Sequence, residues 1–278
     1  MQALQVVEKN VAPKFVTLDR PVVRPGTIMV QIEACGLNFA DLLLIQGTYQ
    51  ETPSLPFTLG MELAGEVVAI GKGVRGHKIG TKVAVYSGQG GLAEYGVFCA
   101  KRCIKIPESL GVVDAAGFQI AYGTSHMALD YRAKLKAGET LLVLGAGGGV
   151  GLAAVEIGKQ MNATVIAAAS SAEKLKAAQD AGADHLIDYS QQDLRSALKD
   201  IVGKKGVDVV YDPVGGDMFE AALRSTAWGG RVLVVGFASG DIPKVPVNLA
   251  LLKGCSIVGV FWGAFRLNYT KEDNENFE

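Results

Sequence analysis

The sequence predicts an α/β protein in which a doubly wound parallel sheet follows a smaller β-rich unit. Residues 139–157 have the pattern of a buried strand, a glycine-rich turn and a helix, and further apolar strands alternate with helices as far as residue 235. This alternation is typical of βαβ units and a parallel sheet. Residues 1–120 contain short β-like runs between Pro and Gly turns instead, which is typical of an all-β unit such as a barrel. We therefore expect two domains, at 1–120 and 121–262.

Short β-like runs dominate the first domain. Turn signals such as Arg24-Pro-Gly26 and Gly71-Lys-Gly73 separate these runs. Residues 114–129 are expected to be mostly helical and to carry the chain into the second domain. The predicted strands are 27–35, 62–70, 82–86 and 94–99.

The second domain is expected to begin with a dinucleotide-binding turn. Residues 141–144 are apolar without alternation, as in a parallel strand buried on both faces, and five glycines follow between Gly145 and Gly151. No register gives a strict G-x-G-x-x-G, and the nearest fits are Ala146-x-Gly148-x-x-Gly151 and Gly145-x-x-Gly148-x-x-Gly151. A backbone this rich in glycine can approach a pyrophosphate at the N-terminus of the next helix. The alternative is an α/β domain whose turn is merely tight.

The remaining elements of the second domain follow at a regular rhythm. Helices are expected near 172–181, 191–202 and 217–226. The predicted strands are 164–169, 185–188, 207–212 and 231–235.

Composition excludes several classes of function. The chain has 278 residues and a formal net charge of −1, with no block of Lys or Arg that would indicate nucleic-acid binding. It also has no apolar run of membrane-spanning length, and its start lacks the basic and apolar regions of a signal peptide, so we expect a cytoplasmic protein. Four cysteines are too few for a disulfide framework and too sparse for a zinc site, and we expect all four to be small buried hydrophobic residues.

Several motifs along the chain carry a family resemblance. The motifs are Gly36-Leu-Asn-Phe-Ala-Asp41, Gly60-Met-Glu-Leu-Ala-Gly65, Ala121-Tyr-Gly-Thr-Ser-His126, the glycine turn, and Tyr211-Asp-Pro-Val-Gly-Gly216. In this order, they resemble the zinc-independent NADPH:quinone oxidoreductase family of the medium-chain dehydrogenase/reductase superfamily, over essentially the whole chain. The resemblance implies a GroES-like β-barrel domain and a Rossmann domain around a cleft for nicotinamide and substrate.

The resemblance has two further implications for architecture. Relatives dimerise through an edge of the Rossmann sheet, so a homodimer is expected. Family members usually continue for several dozen residues past the equivalent of Val258-Gly-Val-Phe-Trp-Gly263, in a tail that completes the first domain. We therefore expect residues 263–278 to be the start of a truncated return segment.

No catalytic metal is expected. Zinc-dependent relatives use a Cys in the segment that matches 36–41 and a His in a Gly-His-Glu motif, and this chain has Asn38 and Met61 at those positions. Carboxamide and thioether groups are poor zinc ligands beside imidazole and thiolate. The three histidines, His77, His126 and His185, have no metal-type spacing. Without a Lewis acid, the alcohol chemistry of the zinc enzymes is not expected.

The predicted cofactor is NADP. A carboxylate about twenty residues past the glycine turn would favour NAD, but Ser170, Ser171 and Lys174 stand there, and hydroxyl and ammonium groups can bind a 2′-phosphate. Ser170 and Glu173 also match a capping box, and both interpretations can hold together. By resemblance, Tyr189 lies near the same phosphate.

The resemblance also implies a nicotinamide site. Thr124 is expected near the nicotinamide, and 236–239 and 261–263 are expected to present backbone groups to its ribose and carboxamide. For Phe261 and Trp262 the alternative is packing or a dimer contact. The predicted cofactor-binding residues are Gly148, Gly149, Val150, Gly151, Ser170, Ser171, Lys174, Tyr189, Gly236, Phe237, Ala238, Ser239, Phe261, Trp262 and Gly263.

Hydride transfer requires hydrogen-bond donors near the acceptor oxygen, and the candidates are Asn38, Tyr49 and Thr124. Asp41 is expected to orient Asn38 or the backbone rather than act as a base. A quinone is the least demanding acceptor, because its reduced oxygens can take protons from water.

Two alternatives to quinone reduction stay open. The segment 45–49 resembles the part of 2-enoyl thioester reductases whose tyrosine donates a proton to carbon, so an enoyl thioester or alkenal reductase is the first alternative. Tyr49 can equally be a loop aromatic that packs over the cleft. The second alternative is a non-catalytic NADPH-binding structural or sensing protein, because fold and cofactor do not fix function.

Overall fold

The computed structural model describes residues 1–268, which divide into two compact units. The first unit is Met1–Ile120, and the second begins at Ala121. Of the expected return segment, residues 269–278 lie outside the described residues.

The strands of the first unit form two sheets. They are β1 (Gln2–Val6), β2 (Lys14–Thr17), β3 (Thr27–Gly36), β4 (Phe57–Thr58), β5 (Glu62–Ile70), β6 (Lys82–Tyr86), β7 (Tyr95–Cys99) and β8 (Cys103–Lys105). The larger sheet is antiparallel in the order β7-β3-β5-β6-β8, and the smaller has the order β2-β1-β4. All four predicted strands are present within one residue of their expected bounds.

The first unit is not all β, so that expectation is wrong. It contains helix α1 (Phe39–Gln46), which was not predicted. It also contains α2 (Val112–Ala116) and the start of α3 (Phe118–His126), which largely lie in the stretch 114–129 that was expected to be mostly helical. Gly47 ends α1 in the left-handed conformation at φ 69°, and its N–H group donates to Leu44 O. The buried side of α1 closes an apolar cluster with Val6, Phe57 and Leu59.

The second unit contains the predicted parallel sheet. Its strands are β9 (Thr140–Leu144), β10 (Thr164–Ala169), β11 (His185–Asp188), β12 (Val207–Asp212), β13 (Thr226–Val234) and β14 (Ser256–Gly259). They pair in parallel in the order β11-β10-β9-β12-β13-β14. The helices are the rest of α3, which continues as one π-helical segment to Arg132, and α4 (Gly149–Gln160), α5 (Ala172–Asp180), α6 (Leu194–Val202), α7 (Gly216–Arg224), α8 (Val247–Lys253) and α9 (Trp262–Asn268).

Four features of this unit differ from the sequence prediction, and one of them is helix α9, which was not predicted. Strand β13 begins at Thr226, five residues before the predicted start, and Gly229 within it has φ +72°. A strand through Trp228-Gly-Gly230 resembles a turn in sequence, because glycine weakens the strand pattern. Helix α8 and strand β14 were not predicted.

Two further features of the fold are its lack of a membrane-spanning helix among the described residues and the state of its cysteines. Within residues 1–268, no helix combines the length and the apolarity that a membrane crossing requires. All four cysteines are free. Only Cys103 is buried, whereas Cys35 and Cys255 are partly buried and Cys99 is exposed, so the expectation of four buried cysteines holds for Cys103 alone.

Candidate functional site

The strand order places the candidate cofactor site at the carboxyl ends of β9 and β12. These strands are neighbours, and the chain proceeds from them in opposite directions along the sheet, first to β10 and β11 and then to β13 and β14. Ligands of open α/β sheets bind at such a switch point. The glycine turn follows β9, and a second turn, Asp212–Gly216, follows β12.

Three glycines of the turn are required by packing. Gly145 has φ +58°, and a Cβ there would lie 2.9 Å from Val214 Cγ2 in the second turn. At Gly147 a Cβ would overlap the stem of Lys174. At Gly151 it would lie 2.9 Å from Ala146 Cα and closer still to Gly145 O, so only glycine lets α4 approach the end of β9 and the turn after it this closely.

Gly148 and Gly149 have a different environment. A Cβ at Gly148 would only reach ordinary contact with Gly145 O, at 3.5 Å, and one at Gly149 would have no atom within 4 Å. Both glycines stand at the start of α4, whose first N–H groups have no partner within the helix. The Gly148 N–H group already donates to Gly145 O at 3.0 Å. The cradle for a pyrophosphate is therefore the open space beside Gly149, with the N–H groups of Gly149 and Val150 in the first turn of α4.

The residues expected near the 2′-phosphate converge beside this turn. Lys174 Nζ lies 3.4 Å from Ser170 Oγ, while its stem covers Gly147. The register pairs Ala169 with Asp188, so Ser170 and Tyr189 follow neighbouring strand ends. The capping-box prediction is wrong, because α5 begins one residue later than that pattern requires and Ser171 is the N-cap.

The loop 236–239 lies against the second turn. The buried Asp212 carboxylate accepts N–H groups from Val214 at 2.8 Å and Gly215 at 2.9 Å, which fixes the turn. Ala238 N–H donates to Pro213 O at 3.0 Å, and Ser239 N–H donates to Val214 O at 3.0 Å. These two loop N–H groups are therefore engaged within the protein.

A buried hydroxyl pair holds α3 against the start of α4. Ser125 Oγ donates to Val150 O at 2.9 Å, so Tyr211 must supply the proton of the 2.9 Å bond between the two hydroxyls. Burial raises the pKa of Tyr211, which keeps this donor protonated. Thr124, which is also buried, is the neighbour of Ser125 in α3, and its place near the nicotinamide stays a prediction.

The segment 261–263 combines exposed and buried positions. The Trp262 ring is buried against Gly123, where a Cβ would lie 2.8 Å from Trp262 Cζ2. Gly263 is buried and Phe261 is exposed. The Trp262 side chain therefore packs within the protein, as the alternative interpretation expected. Binding of the nicotinamide ribose and carboxamide by backbone groups of 261–263 stays a prediction.

In the first unit, Asn38 and Asp41 form the start of α1. Asn38 is the N-cap, and its N–H group donates to Asp41 Oδ2 at 2.9 Å. Burial raises the pKa of Asp41, although N–H groups of Asn38, Gly60 and Met61 favour its charged form. Asp41 thus orients the Asn38 backbone.

Sequence reasoning missed Glu62, which holds the Asn38 side chain. The buried carboxylate accepts Asn38 Nδ2–H at 2.9 Å and Ile120 N–H at 2.9 Å. Burial raises the pKa of Glu62 and also raises that of the nearby Cys35 thiol to about 12, so this thiol is unreactive. The available signal was a carboxylate in a mostly apolar strand, but Glu66 on the same strand gives the same signal and forms a partly exposed ion pair with a lysine.

Tyr49 is half-buried against the α1 cluster. Burial, with the charges of Glu51 and Asp41, raises the pKa of its hydroxyl. The side chain thus combines a packed ring with a weakly acidic hydroxyl, and its position is compatible with both interpretations of Tyr49.

The positions that correspond to zinc ligands do not fit a metal. Met61 is buried in the apolar cluster of Leu44 and Phe57, and the Asn38 amide donates to Glu62. In the part of the chain that the structure describes, no three His, Cys, Asp or Glu side chains form a group that could hold a metal ion. A thioether in an apolar core and a donating amide are not a zinc donor set.

Comparisons with known proteins match both units. Residues 24–108 match the model described as "Alcohol dehydrogenase GroES-like domain", and residues 149–276 match that described as "Zinc-binding dehydrogenase". Quinone oxidoreductase-like protein 2 of Mus musculus is 45% identical over 89% of this chain and 71% of its own length. Quinone oxidoreductase of Rattus norvegicus is 33% identical over 100% and 84%.

A solved structure gives the same result for the fold. The crystal structure of Escherichia coli quinone oxidoreductase complexed with NADPH aligns with a TM-score of 0.90 at 28% identity, over 100% of this chain and 86% of that one. The likeness therefore extends over both units.

Proposed function

Because the chain belongs to the zinc-independent quinone oxidoreductase family of the medium-chain dehydrogenase/reductase superfamily, we propose that it reduces quinones by transfer of hydride from NADPH. The single observation that carries the proposal is the open cradle at Gly149 and Val150 beside Ser170 and Lys174. The cradle offers backbone N–H groups to a pyrophosphate. Lys174 and Ser170 offer an ammonium group and a hydroxyl group to a 2′-phosphate.

The cofactor-binding residues have distinct proposed roles. The first turn of α4, including Val150 and Gly151, binds the pyrophosphate, and Ser170, Ser171, Lys174 and Tyr189 surround the adenosine phosphate. Backbone groups of 236–239 and 261–263 hold the nicotinamide end, and Thr124 lies near the ring. The bound cofactor supplies the hydride.

Residues of the first unit supply hydrogen-bond donors to the acceptor oxygen. Asn38 has a second Nδ2 proton whose only described acceptor, Gly36 O, is 3.5 Å from Nδ2, so it can donate to an acceptor oxygen that gains charge. Asp41 fixes the backbone of Asn38. Protons reach the reduced oxygens from water, and Tyr49 contributes a donor without having to act as a strong acid.

The same observations favour a quinone over an enoyl thioester. An enoyl thioester requires a proton delivered to carbon by an acid, whereas the reduced oxygens of a quinone can take protons from water, so quinone reduction does not depend on Tyr49. Relatives named as quinone oxidoreductases support the same choice.

The test is NADPH oxidation by the purified protein, with 1,4-benzoquinone, 1,4-naphthoquinone and a 2-enoyl thioester compared in parallel. We expect saturable quinone turnover, much weaker turnover with NADH, and little effect of Tyr49→Phe. Turnover of the enoyl thioester alone, sensitive to Tyr49→Phe, would replace the quinone with that acceptor. Tight NADPH binding without any turnover would indicate a non-catalytic protein.

We further propose a homodimer through the β14 edge of the parallel sheet. Apolar side chains at this end of the sheet support it, since Trp228 and Leu251 are each 80% exposed and Ile257 lies on the edge strand itself. Light scattering should show a dimer for the unsubstituted protein. The double variant Trp228→Ser, Leu251→Lys should be a monomer. Phe15→Ser, an equally exposed side chain of the first unit, is the control. A monomeric unsubstituted protein would refute the dimer.

A reducing compartment such as the cytoplasm is also proposed. Four free cysteines support it, because exposed thiols such as Cys99 persist where glutathione keeps them reduced. Fractionation of cells that express a tagged chain is the test, and recovery in an oxidising compartment would contradict it.

A further inference from the structure

Glu62 is a buried carboxylate that the hydride-transfer chemistry does not itself require. Its carboxylate is surrounded by hydrogen-bond donors: Asn38 Nδ2–H at 2.9 Å, Ile120 N–H at 2.9 Å, and the nearby N–H group of Gln119. An ionised carboxylate only accepts hydrogen bonds, so it matches a site where every neighbour donates.

Gly36 leaves room for the Glu62 carboxylate. A Cβ at Gly36 would lie 2.7 Å from Glu62 Oε1 and 2.6 Å from Ala116 O. Gly36 does not have a positive φ, so close approach rather than backbone conformation requires the glycine. Only the absence of a side chain at 36 allows Glu62 to reach the amide of Asn38.

Burial of this carboxylate carries an energetic penalty. Burial and the charge of Asp41 raise the pKa of Glu62, while the hydrogen bonds from Asn38, Ile120 and Gln119 oppose that shift. An apolar side chain would satisfy packing at the start of β5 without this penalty. The benefit must therefore lie in what the carboxylate does to its partners.

We propose that Glu62 is a positioning residue that fixes the orientation of the Asn38 amide and thereby aims its second N–H group at the acceptor oxygen. An Asn side chain can rotate by half a turn and exchange its oxygen and nitrogen. A carboxylate acceptor admits only the nitrogen, while Asp41 fixes the Asn38 backbone. The proposal rests on the quinone reductase function proposed above.

Glu62→Gln is the informative substitution because it keeps the size of the side chain. A glutamine presents one acceptor and one donor to neighbours that all donate, so one N–H group must face another. Rotation of the Asn38 amide relieves this conflict and exchanges the positions of its oxygen and nitrogen, so the N–H group proposed to bind the acceptor oxygen is lost. We expect kcat for 1,4-naphthoquinone to fall about 10- to 100-fold, in the range for loss of an oriented oxyanion donor, with the Kd for NADPH unchanged.

A double-mutant cycle separates positioning from a general structural effect. We expect Glu62→Gln to lower kcat at least 10-fold in the wild-type background and less than 2-fold in Asn38→Ala, because its effect passes through Asn38. Equal losses in both backgrounds would overturn the proposal. Glu66→Gln, on the same strand and paired with Lys82 at the surface, is the control and should leave kcat unchanged.

A measurement without turnover separates this proposal from the proposed function. The Asn38 side-chain amide resonances are assigned by their loss in Asn38→Ala, and we expect one of the two protons to exchange slowly with solvent in the wild-type protein. Two equally fast protons would overturn the Glu62 contact even if Glu62→Gln failed to fold. Slow exchange of one proton, in a protein that turns over no quinone, would instead keep the contact and refute the proposed function.

Discussion

Substitution of alanine at Gly149 and Gly151 separates the two kinds of glycine in the dinucleotide turn. At Gly149 a methyl group has no protein atom within 4 Å, whereas at Gly151 it would lie 2.9 Å from Ala146 Cα and closer still to Gly145 O. The substitutions should therefore have opposite signatures. Gly149→Ala should weaken NADPH binding without destabilising the protein, and Gly151→Ala should destabilise the protein itself.

The magnitudes follow from the local geometry. Alanine is preferred over glycine inside a helix by about 1 kcal/mol, so Gly149→Ala should leave the free energy of unfolding unchanged or raise it by up to that amount. Overpacking costs about 1–3 kcal/mol, and the overlap at Gly151 is with backbone atoms that cannot easily move, so the upper end applies. Gly151→Ala should therefore lower the free energy of unfolding by about 2 kcal/mol after the helix gain. The Gly149 methyl group occupies the proposed pyrophosphate cradle and should raise the Kd for NADPH at least 10-fold, or about 1.4 kcal/mol.

Urea unfolding of the ligand-free proteins and calorimetric titration with NADPH measure the two effects separately. NADPH affinity at the wild-type level in Gly149→Ala would refute the cradle at the start of α4. Wild-type stability in Gly151→Ala would refute the close approach of α4 to β9.

Three further predictions concern other contacts. Lys174→Ala should lower the ratio of kcat/KM for NADPH to kcat/KM for NADH about 10-fold. The control Lys176→Ala, on the same helix and paired with Asp180, should leave this ratio unchanged. An unchanged ratio in Lys174→Ala would contradict its proposed role in binding the 2′-phosphate. Ser125→Ala should cost about 1–3 kcal/mol of unfolding free energy because it leaves the buried Tyr211 hydroxyl without an acceptor. Tyr211→Phe should cost about 1 kcal/mol. A larger loss in Tyr211→Phe than in Ser125→Ala, measured by urea unfolding, would contradict Tyr211 as the donor. Burial raises the pKa of Glu139, but Arg231, which donates to it at 2.6 and 2.9 Å, outweighs burial and holds that pKa below 4.5. Arg231→Leu should therefore cost about 1–3 kcal/mol at pH 7, with the difference from wild type lost as pH falls through the lowered pKa, and a difference independent of pH would refute this linkage.

The parallel sheet was predictable because its central strands are buried on both faces and its strands alternate with helices. The predicted runs 164–169, 185–188 and 207–212 have the bounds of β10, β11 and β12. Helix α1 was not predicted, because its eight residues are nearly all apolar and give no clear helical period.

The site was only partly predictable, because several of its contacts are distant in sequence. The glycine turn and the residues Ser170, Ser171 and Lys174 are local patterns that a sequence displays. The Glu62 contacts instead join residues 24 and 58 positions apart, and the Ser125–Tyr211 pair spans 86. Such pairs depend on tertiary packing, and the local sequence around Glu62 or Ser125 does not identify their partners.

The most direct test of metal-free hydride transfer is the rate of NADPH oxidation with 1,4-naphthoquinone, measured after dialysis of the protein against a strong metal chelator and corrected for the reaction without protein. Asn38 and Met61 do not form a zinc site, so we predict an unchanged, saturable rate that requires NADPH. A rate that disappears with chelation and returns with zinc would contradict metal-free transfer. A rate no greater than that without protein would contradict quinone reduction itself.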